Sequence, residues 1–226
     1  MSVIAFMHIG EQTQLPTIMV RSFRRHNPGI RIVQVADQDS PAIEGVDDTV
    51  RSPMADGNVM LFRMRCFAAL ATEEPTWFLD TDMLCNRPLE LDEADVTVAV
   101  CQREFGTQAI FNHRFGGMDL SEYEGRTMGS IYPYVGCATY VNRSNFWADC
   151  LQDMEALDPK FFNWYGDQEA IRNVVNSSQR PVAMLRESLY ACLPEHAGQM
   201  SAPYIFHYKG QRKRVMLERA AAEGLL

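Results

Sequence analysis

Two aspartates separated by one residue, Asp80 and Asp82, directly follow the short apolar segment 77–79. The segment comes after Pro75 and is typical of a buried strand that ends in a loop. Because side chains alternate along an extended chain, both carboxylates are expected on the same side. Two adjacent carboxylates repel each other unless a cation lies between them. The pattern therefore predicts a site for a hard divalent metal, Mg²⁺ or Mn²⁺, with positions left open for phosphate oxygens.

The same pair of acids also begins the phosphatases of the haloacid-dehalogenase type, in which the first aspartate is the nucleophile. Those enzymes usually carry the motif near the N-terminus and follow it with Gly-Thr. Here it lies a third of the way along the chain and is followed by Met83-Leu84. A metal-dependent phosphatase or nucleotidyltransferase that uses Asp80 and Asp82 remains an alternative interpretation, and a chance Asp-x-Asp tripeptide is another.

Residues 58–71 form the clearest amphipathic helix predicted from the sequence. Its apolar face consists of Val59, Phe62, Cys66, Phe67 and Leu70. Arg63 falls on this face. A guanidinium there needs a carboxylate, phosphate or carbonyl partner, unless its stem lies along the core and its head reaches water. Arg65 points nearly the opposite way and is expected to be a solvated surface charge.

Two further groups of polar residues lie in the second half of the chain. Asp167-Gln168 stands at the start of a predicted helix, where an acid also interacts favourably with the helix dipole, so capping alone is an alternative explanation. His207 ends an apolar strand, where an imidazole can complete a metal site begun by two carboxylates. After it, Gly210 allows close backbone approach and Lys213 would neutralise a diphosphate. A lone histidine before a solvated basic tail is the alternative.

The elements that must position these residues alternate between strand and helix. Strands are predicted over residues 3–7, 30–35, 77–79, 96–101, 135–141, 182–185 and 204–206, with helices between most of them. This order predicts a parallel sheet covered by helices, with sites at the carboxyl ends of the strands. The polar segment 36–56 is predicted as a surface connection, and the segment 102–133, rich in glycine and aromatics, as a functional loop or subdomain.

Composition bounds the class of protein. The chain has 226 residues, 46% hydrophobic and 22% charged, which predicts one globular domain. A formal net charge of -8 argues against a general nucleic-acid binder. The six cysteines include no CxxC pair and are predicted to be reduced core residues of a cytoplasmic protein. Neither a signal peptide nor a stretch of about 18 apolar residues is visible.

Basic residues cluster near the C-terminus. They are Arg212, Lys213, Arg214 and Arg219. Such a cluster can make a weak peripheral contact with an anionic membrane. Because Glu218 and Glu223 are interspersed, a plain solvated helix is the main expectation.

The order of the site residues resembles that in the retaining glycosyltransferases of family 8, the group that contains glycogenin and bacterial lipopolysaccharide galactosyl- and glucosyltransferases. The residues that carry the resemblance are Arg63, Asp80, Asp82, Asp167, Gln168, His207, Gly210 and Lys213. It spans roughly residues 62–213. It implies an α/β fold of the GT-A type, a mainly parallel mixed sheet flanked by helices, with one domain over residues 1–213 and a short helical tail over 214–226.

The resemblance also implies an activity. The protein would be a glycosyltransferase that moves a hexose from a nucleoside diphosphate sugar, with UDP as the expected nucleotide, to an unidentified glycan, lipid or protein acceptor. The anomeric configuration would be retained. Asp80, Asp82 and His207 would hold Mn²⁺ or Mg²⁺, and Asp80 would also contact the donor.

Further roles follow from the same resemblance. Arg63 would contact the donor, and Gly210 and Lys213 would contact its diphosphate. Asp167 and Gln168 would face the reacting sugar, which makes them the candidate catalytic residues.

Three segments depart from the family pattern. His8-Ile9-Gly10-Glu11 stands where the family has an Asp-rich turn that reads the uracil. Tyr134-Val135-Gly136 replaces an Asn-Ala/Ser-Gly segment beside the donor sugar, and Arg214-Val215 replaces Pro-Trp. The sequence therefore specifies neither the base nor the sugar, and a catalytically silent sugar-nucleotide-binding protein is a third interpretation.

Overall fold

The computed structural model describes residues 2–54, 57–71, 73–91, 96–162, 164–198 and 202–226. A mixed sheet of seven strands forms the central layer, in the order β3-β2-β1-β4-β7-β6-β8, and β5 pairs with β9 beside it. The strands are β1 (Val3–Met7), β2 (Arg31–Ala36), β3 (Asp48–Arg51), β4 (Thr76–Leu79), β5 (Met83–Cys85), β6 (Val98–Gln102), β7 (Tyr134–Val141), β8 (Ala183–Arg186) and β9 (Ile205–His207).

Helices cover both faces of the sheet. They are α1 (Gln14–His26), α2 (Val59–Ala71), α3 (Met128–Ile131), α4 (Phe146–Glu155), α5 (Gly166–Ser177), α6 (Glu187–Tyr190) and α7 (Lys213–Ala222). The central strands are buried on both sides, and their side chains alternate between two cores. Trp77 and Leu79 pack with residues of α1 and α7, whereas Phe78 packs with residues of α2, α4 and α5. This explains why β4 reads as a continuous apolar run.

The strand directions place one edge of the sheet at the candidate site. Strands β1 to β4 run parallel where they pair, β7 is antiparallel to both β4 and β6, and β8 is parallel to β6. The carboxyl ends of β1, β4, β6 and β8 therefore meet at the same edge, where β7 begins. This edge carries Asp80 after β4, Arg103 after β6 and Glu187 after β8.

A bulge interrupts β7 at this edge. Val100 of β6 pairs with Thr139, but the next residue, Cys101, pairs with Val135. The residues between, 136–138, are left out of the ladder with β6. Cys137 O instead accepts from Asp80 N at 3.1 Å, so the bulge places Gly136 and Cys137 beside the first aspartate.

Most predicted elements agree with the structure to within about two residues, but the single apolar face predicted for α2 is wrong. Val59 is 39% exposed, whereas Leu61 and Met64 are buried. Helix α2 packs on two sides, because Leu61 and Met64 belong to the core beneath α4 and α5, and Phe62 packs near Val35. A helix buried on two sides has no single apolar stripe.

Two strands were not predicted. Strand β3 lies inside the segment 36–56, which was predicted to be only a surface connection, and it pairs with β2 at the sheet edge. Its side chains are mostly exposed, so its sequence shows no apolar run. Positions 55–56 of that segment lie outside the described residues. The other strand, β5, has only three residues and pairs with β9.

The segment 103–133 forms a small core of its own between β6 and β7. Its buried residues are Phe111, Met118, Leu120, Tyr123, Ile131 and Tyr132, which pack with Phe161. Aromatic rings dominate this cluster, and Tyr132 stacks on Tyr165 with ring centroids 4.9 Å apart. The predicted subdomain is therefore present, and it is attached to the start of α5.

The cysteines and the C-terminal helix both belong to the core. All six cysteines are buried and free, and burial raises the pKa of Cys66 and Cys192 to about 11. Helix α7 buries Met216 and Ala220 in the same core as α1.

Each basic residue of the C-terminal cluster lies beside a carboxylate. No helix among the described residues is long and apolar enough to cross a bilayer.

Candidate active site

A cleft of about 520 Å³ opens at the carboxyl edge of the sheet. Every residue that carried the sequence prediction lines it: Arg63, Asp80, Asp82, Asp167, Gln168, His207, Gly210 and Lys213. These residues come from α2, the loop after β4, the first turn of α5, β9, the 3₁₀ turn that follows it and the start of α7. The fold thus brings together side chains that lie up to 150 positions apart in the chain.

Pairing between β5 and β9 places the second aspartate beside the histidine. Met83 lies opposite His207 in this ladder, and Tyr208 N donates to Asp82 O at 2.8 Å. His207 Nε2 is 3.3 Å from Asp82 Oδ1. One ligand atom each of Asp80, Asp82 and His207 lies within 4.8 Å of the other two.

This donor set fits a divalent cation. Two carboxylate oxygens and one imidazole nitrogen are ligands that Mn²⁺ accepts, and Mg²⁺ prefers the oxygens. Three protein ligands would leave further positions for phosphate oxygens. The side chain of Asp80 is 31% exposed, so the group faces the cleft and can be reached from it.

Charges within the group are closely balanced. Burial raises the pKa of Asp80, and the negative charge of Asp82 adds to that shift while Arg63 opposes it. Burial would also raise the pKa of Asp82, but the hydrogen bond from His207 and the charge of Lys213 lower it below its usual value. Burial lowers the pKa of His207, yet its partners Cys137 and Asp82 raise it to about 10. Without metal, cations therefore neutralise the paired acids, and a bound metal ion would displace the proton from His207.

Arg63 is buried and directs its guanidinium at the candidate site. It is 7% exposed, which excludes the alternative in which its head reaches water. Nη2 donates to Asp80 Oδ1 and to Gly136 O, both at 2.8 Å, and Nη1 lies 3.3 Å from Asp167 Oδ2. Arg63 thus joins the acid pair after β4 to the acid at the start of α5. Arg65, two residues on, is exposed and lies near Glu155, as expected of a surface charge.

Gly136 lies where a side chain would strike the site. A Cβ atom at this position would be 2.8 Å from Asp167 Oδ2, closer than real Cβ atoms come. The absence of a side chain therefore lets the bulge of β7 approach α5 and offer its carbonyl to Arg63.

Substitution Gly136→Ala is expected to push the Asp167 carboxylate away from Arg63. Because the clash is with the end of a flexible side chain, we expect the free energy of unfolding to fall by only about 1–2 kcal/mol. A displacement of about 1 Å in a catalytic group lowers turnover by about 100-fold, which steady-state kinetics would detect. Gly198→Ala is the matched control, because nothing lies within 4 Å of its Cβ position. Full activity in Gly136→Ala would contradict the placement of Asp167.

The first turn of α5 is built to present Asp167 and Gln168. Tyr165 precedes the helix with φ of 60°, and a Cβ on Gly166 would lie 2.5 Å from Phe161 O, so only glycine fits there. Helix capping explains part of the role of Asp167 but not all of it. Its Oδ1 accepts from Gln168 N at 2.8 Å, and its Oδ2 faces Arg63.

The late glycine and lysine lie beside the metal-ligand group. Gly210 has φ of 65° and begins a turn of 3₁₀ helix that leads into α7. Lys213 Nζ is 3.7 Å from Asp82 Oδ2, and its side chain is 52% exposed. A lysine this exposed can move onto a ligand phosphate at little cost in desolvation.

Two cations of the cleft, Arg103 and Lys209, were not assigned roles from the sequence. Arg103 Nη2 donates to Gln168 Oε1 at 2.8 Å, and Lys209 Nζ is 3.6 Å from Glu187 Oε1. The available signal for Arg103 was its position directly after an apolar strand, where parallel strands place functional groups. Lys209 lies within the motif that begins at His207, but its spacing does not match the family pattern.

Aromatic rings form one rim of the cleft. Phe115 is 43% exposed and Trp164 is 47% exposed, and their ring centroids are 5.7 Å apart. Both line the cleft. Large exposed rings beside polar groups are typical of a binding surface.

Comparison with known proteins identifies the type of fold. No protein-family model and no curated protein matches the sequence. Solved structures do match, among them the crystal structure of galactosyltransferase LgtC in complex with donor and acceptor sugar analogs. The TM-score is 0.62 at 13% sequence identity, and the match covers 100% of both chains. The predicted GT-A fold, a mixed sheet flanked by helices, is therefore confirmed. At this identity the comparison shows the fold alone, and membership of family 8 remains an interpretation of the sequence.

Proposed function

We propose that this protein is a metal-dependent glycosyltransferase that resembles family 8. It would transfer a hexose from a nucleoside diphosphate sugar, with UDP as the expected nucleotide, to an acceptor, with retention of the anomeric configuration. One observation carries the proposal: the two acids, the late histidine, the buried arginine and the Asp-Gln pair meet in one cleft at the expected edge of this fold. The fold is shared with a galactosyltransferase crystallised with donor and acceptor sugar analogs.

The cationic side of the cleft suits the donor's diphosphate. Asp80, Asp82 and His207 would hold Mn²⁺ or Mg²⁺, which supplies positive charge that stabilises a diphosphate leaving group. Lys213 lies beside this group and is exposed enough to contact the phosphate oxygens. Gly210 permits the chain to approach them closely. The positive charge of Lys213 would stabilise the negative charge that develops on the diphosphate as the donor bond breaks.

The other side of the cleft suits the sugar. As the bond between C1 and the diphosphate oxygen breaks, its electron pair goes to that oxygen, and the acceptor oxygen bonds to C1 on the same face. The acceptor proton passes to the departing phosphate, so no protein base is needed. The Asp167 carboxylate would stabilise the positive charge that develops on the sugar ring.

The aromatic rim supports a saccharide as the acceptor. Phe115 and Trp164 offer apolar ring faces that can stack on the CH groups of a sugar. LgtC, which has the same fold, was crystallised with an acceptor sugar analog. A saccharide is therefore proposed in preference to a lipid or peptide acceptor.

Removal of the Trp164 ring is expected to weaken acceptor binding without affecting the donor. A stacked ring contributes about 1.5 kcal/mol, so Trp164→Ala should raise the KM for a saccharide acceptor about tenfold. Release of nucleotide from the donor in the absence of acceptor should not change. Trp164→Phe keeps a ring and should restore most of the affinity. An unchanged KM in Trp164→Ala would contradict a saccharide site on this rim.

The proposed function can be tested by thermal stability against nucleoside diphosphates and their hexosyl derivatives, with Mn²⁺, Mg²⁺ or a chelator. A ligand at 100 times its dissociation constant stabilises the native state by about 2.7 kcal/mol. We expect one nucleotide to raise the melting temperature only when metal is present. Its sugar derivative should then be screened for hexose transfer to saccharides. Phosphate release without transfer would support the phosphatase alternative, and no binding with any metal would overturn the proposal.

A further inference from the structure

Arg103 is a residue of the cleft to which the proposed function gives no role. It directly follows β6, and its backbone N–H donates to Pro133 O at 2.7 Å. In its guanidinium, Nε donates to Tyr132 O at 2.7 Å and Nη2 donates to Gln168 Oε1 at 2.8 Å. The Arg103 side chain is therefore fixed by two hydrogen bonds: Nε bonds to a backbone carbonyl, and Nη2 bonds to Gln168.

The contact with Arg103 decides which end of the Gln168 amide is engaged. A guanidinium has only donors, so its partner must be the amide oxygen and not the amide nitrogen. The Nε2 group of Gln168 has no hydrogen-bond partner within the described part of the chain, and the residue lines the cleft. The N–H groups are thus the part of Gln168 left for a substrate.

The backbone that carries Arg103 is itself fixed by a buried carboxylate. Glu187 is fully buried, and its Oε2 accepts from the N–H groups of Glu104 at 2.7 Å and Phe105 at 2.8 Å. Its Oε1 lies 3.6 Å from Lys209 Nζ, which lines the same cleft. This network ties the residues after Arg103 to the other side of the site. Arg103 consequently has little freedom to swing away from Gln168.

We propose that Arg103 is a positioning residue that makes Gln168 a hydrogen-bond donor to an oxygen of the donor hexose. This inference rests on the proposed function, because it assigns a role within the same site. During transfer, the C1 bond to the diphosphate breaks and the C1 bond to the acceptor oxygen forms. Gln168 forms no covalent bond to C1 and keeps both amide protons. It stabilises the reacting sugar through its N–H, in the orientation that Arg103 imposes.

A double-mutant cycle tests whether Arg103 acts through Gln168. Arg103→Met should lower kcat about 100-fold, the effect of a misplaced catalytic group, with little change in the KM for the donor. In a Gln168→Ala background, Arg103→Met should cause no further loss. Arg126→Met is the matched control, because Arg126 is an exposed arginine of the same segment and should leave kcat unchanged. Losses that multiply in the double variant would overturn the inference.

The variant Gln168→Glu tests whether residue 168 acts as a hydrogen-bond donor or as a nucleophile. It places a carboxylate opposite Arg103 and removes the amide N–H groups. The inference expects kcat to fall as far as in Gln168→Ala, with no covalent sugar on the protein. Retained transfer would show that the amide N–H groups are not required, and a hexosyl adduct on residue 168 would show that this side chain reaches C1 directly; either result would overturn the inference.

A measurement that does not depend on enzymatic activity distinguishes failure of the inference about Arg103 from failure of the proposed function. The side-chain amide of Gln168 can be assigned by NMR from the signal lost in Gln168→Ala. We expect its signals to differ from those of a freely rotating glutamine side chain in the wild type, because Oε1 is hydrogen-bonded to Arg103, and to move to the free positions in Arg103→Met. An unchanged amide signal in Arg103→Met would overturn the inference about Arg103. Lack of metal-dependent nucleotide binding by the wild type would instead overturn the proposed function.

Discussion

Substitution Asp82→Asn is expected to abolish metal-dependent nucleotide binding and to lower hexose transfer by at least about 10²–10³-fold, the scale on which a main electrostatic contact of a transition state acts. Asparagine keeps the shape of the side chain and removes its charge. Asp82 is the acid that contacts both His207 and Lys213, at 3.3 Å and 3.7 Å. Its loss therefore affects the metal ligands and the cation proposed for the diphosphate together.

The fold should tolerate this change. The Asp82 side chain is 14% exposed at the mouth of the cleft, and its backbone carbonyl keeps its bond from Tyr208 N. His207 can also lose a proton once its acidic partner is neutral. We expect the melting temperature without ligand to shift by only a few degrees, on the order of 1 kcal/mol.

Differential scanning fluorimetry and nucleotide-release kinetics check this prediction together. Asp149→Asn is the matched control, because Asp149 is an exposed acid on α4 whose partner Arg180 lies 3.9 Å away. The control should keep both the metal-dependent shift in melting temperature and the activity. If Asp82→Asn still binds nucleotide in a metal-dependent way, the acid pair after β4 is structural and the metal site is elsewhere.

Local sequence patterns were sufficient to predict the strands that consist of a nearly continuous run of apolar residues. Strands β1, β4 and β7 are nearly continuous apolar runs because both of their faces are buried, and their positions were predicted within one residue. The same patterns failed where burial is partial or two-sided. Strand β3 is an exposed edge strand without an apolar run, and it was missed. Helix α2 was predicted at the right position, but it is buried on two sides, so the single apolar face predicted for it was wrong.

The candidate site was predictable only where order along the chain matched a known arrangement. Asp80 and Asp82 carry a local signal, since they directly follow a buried strand, at the sheet edge where α/β folds bind ligands. Arg103 directly follows the apolar strand β6, but the local sequence does not indicate its partner, because Gln168 lies 65 positions away. Its contact with Gln168 depends on β6 lying beside the antiparallel β7 and on the bulge in β7, and neither can be inferred from local propensities.

Substitution Arg63→Met is expected to be the most destabilising single change at the site. Arg63 is the buried cation that joins Asp80 and Asp167, and burial lowers its pKa while these two acids raise it above its usual value. Methionine fills a similar volume, so the loss is mainly one of charge. Breaking a buried ion pair from one side costs about 3–5 kcal/mol, because the remaining partner stays buried without compensation. For a chain of this size that corresponds to a melting temperature about 6–20 °C lower.

Loss of the Arg63 charge is expected to destabilise Asp167 more than Asp80. Its side chain is 11% exposed, against 31% for Asp80, so water can compensate Asp80 far better. The double variant Arg63→Met, Asp167→Asn removes the stranded charge and should recover a large part of the lost stability, although not activity. Arg63→Lys keeps a charge but cannot reach Asp80, Asp167 and the Gly136 carbonyl at once, so an intermediate loss is expected.

Chemical denaturation at neutral pH measures these differences, and Arg65→Met supplies the control on the same helix. The Arg65 side chain is 44% exposed and lies 3.4 Å from Glu155, which is also exposed, so its removal should cost no more than about 1 kcal/mol. If Arg63→Met costs no more than Arg65→Met, the buried contacts of Arg63 contribute little to stability. If the double variant is less stable than Arg63→Met alone, the loss comes from packing and hydrogen bonding and not from the stranded Asp167 charge. The expected order of stability, with the double variant between wild type and Arg63→Met, would show that Arg63 compensates the acids that the proposed activity requires in one place.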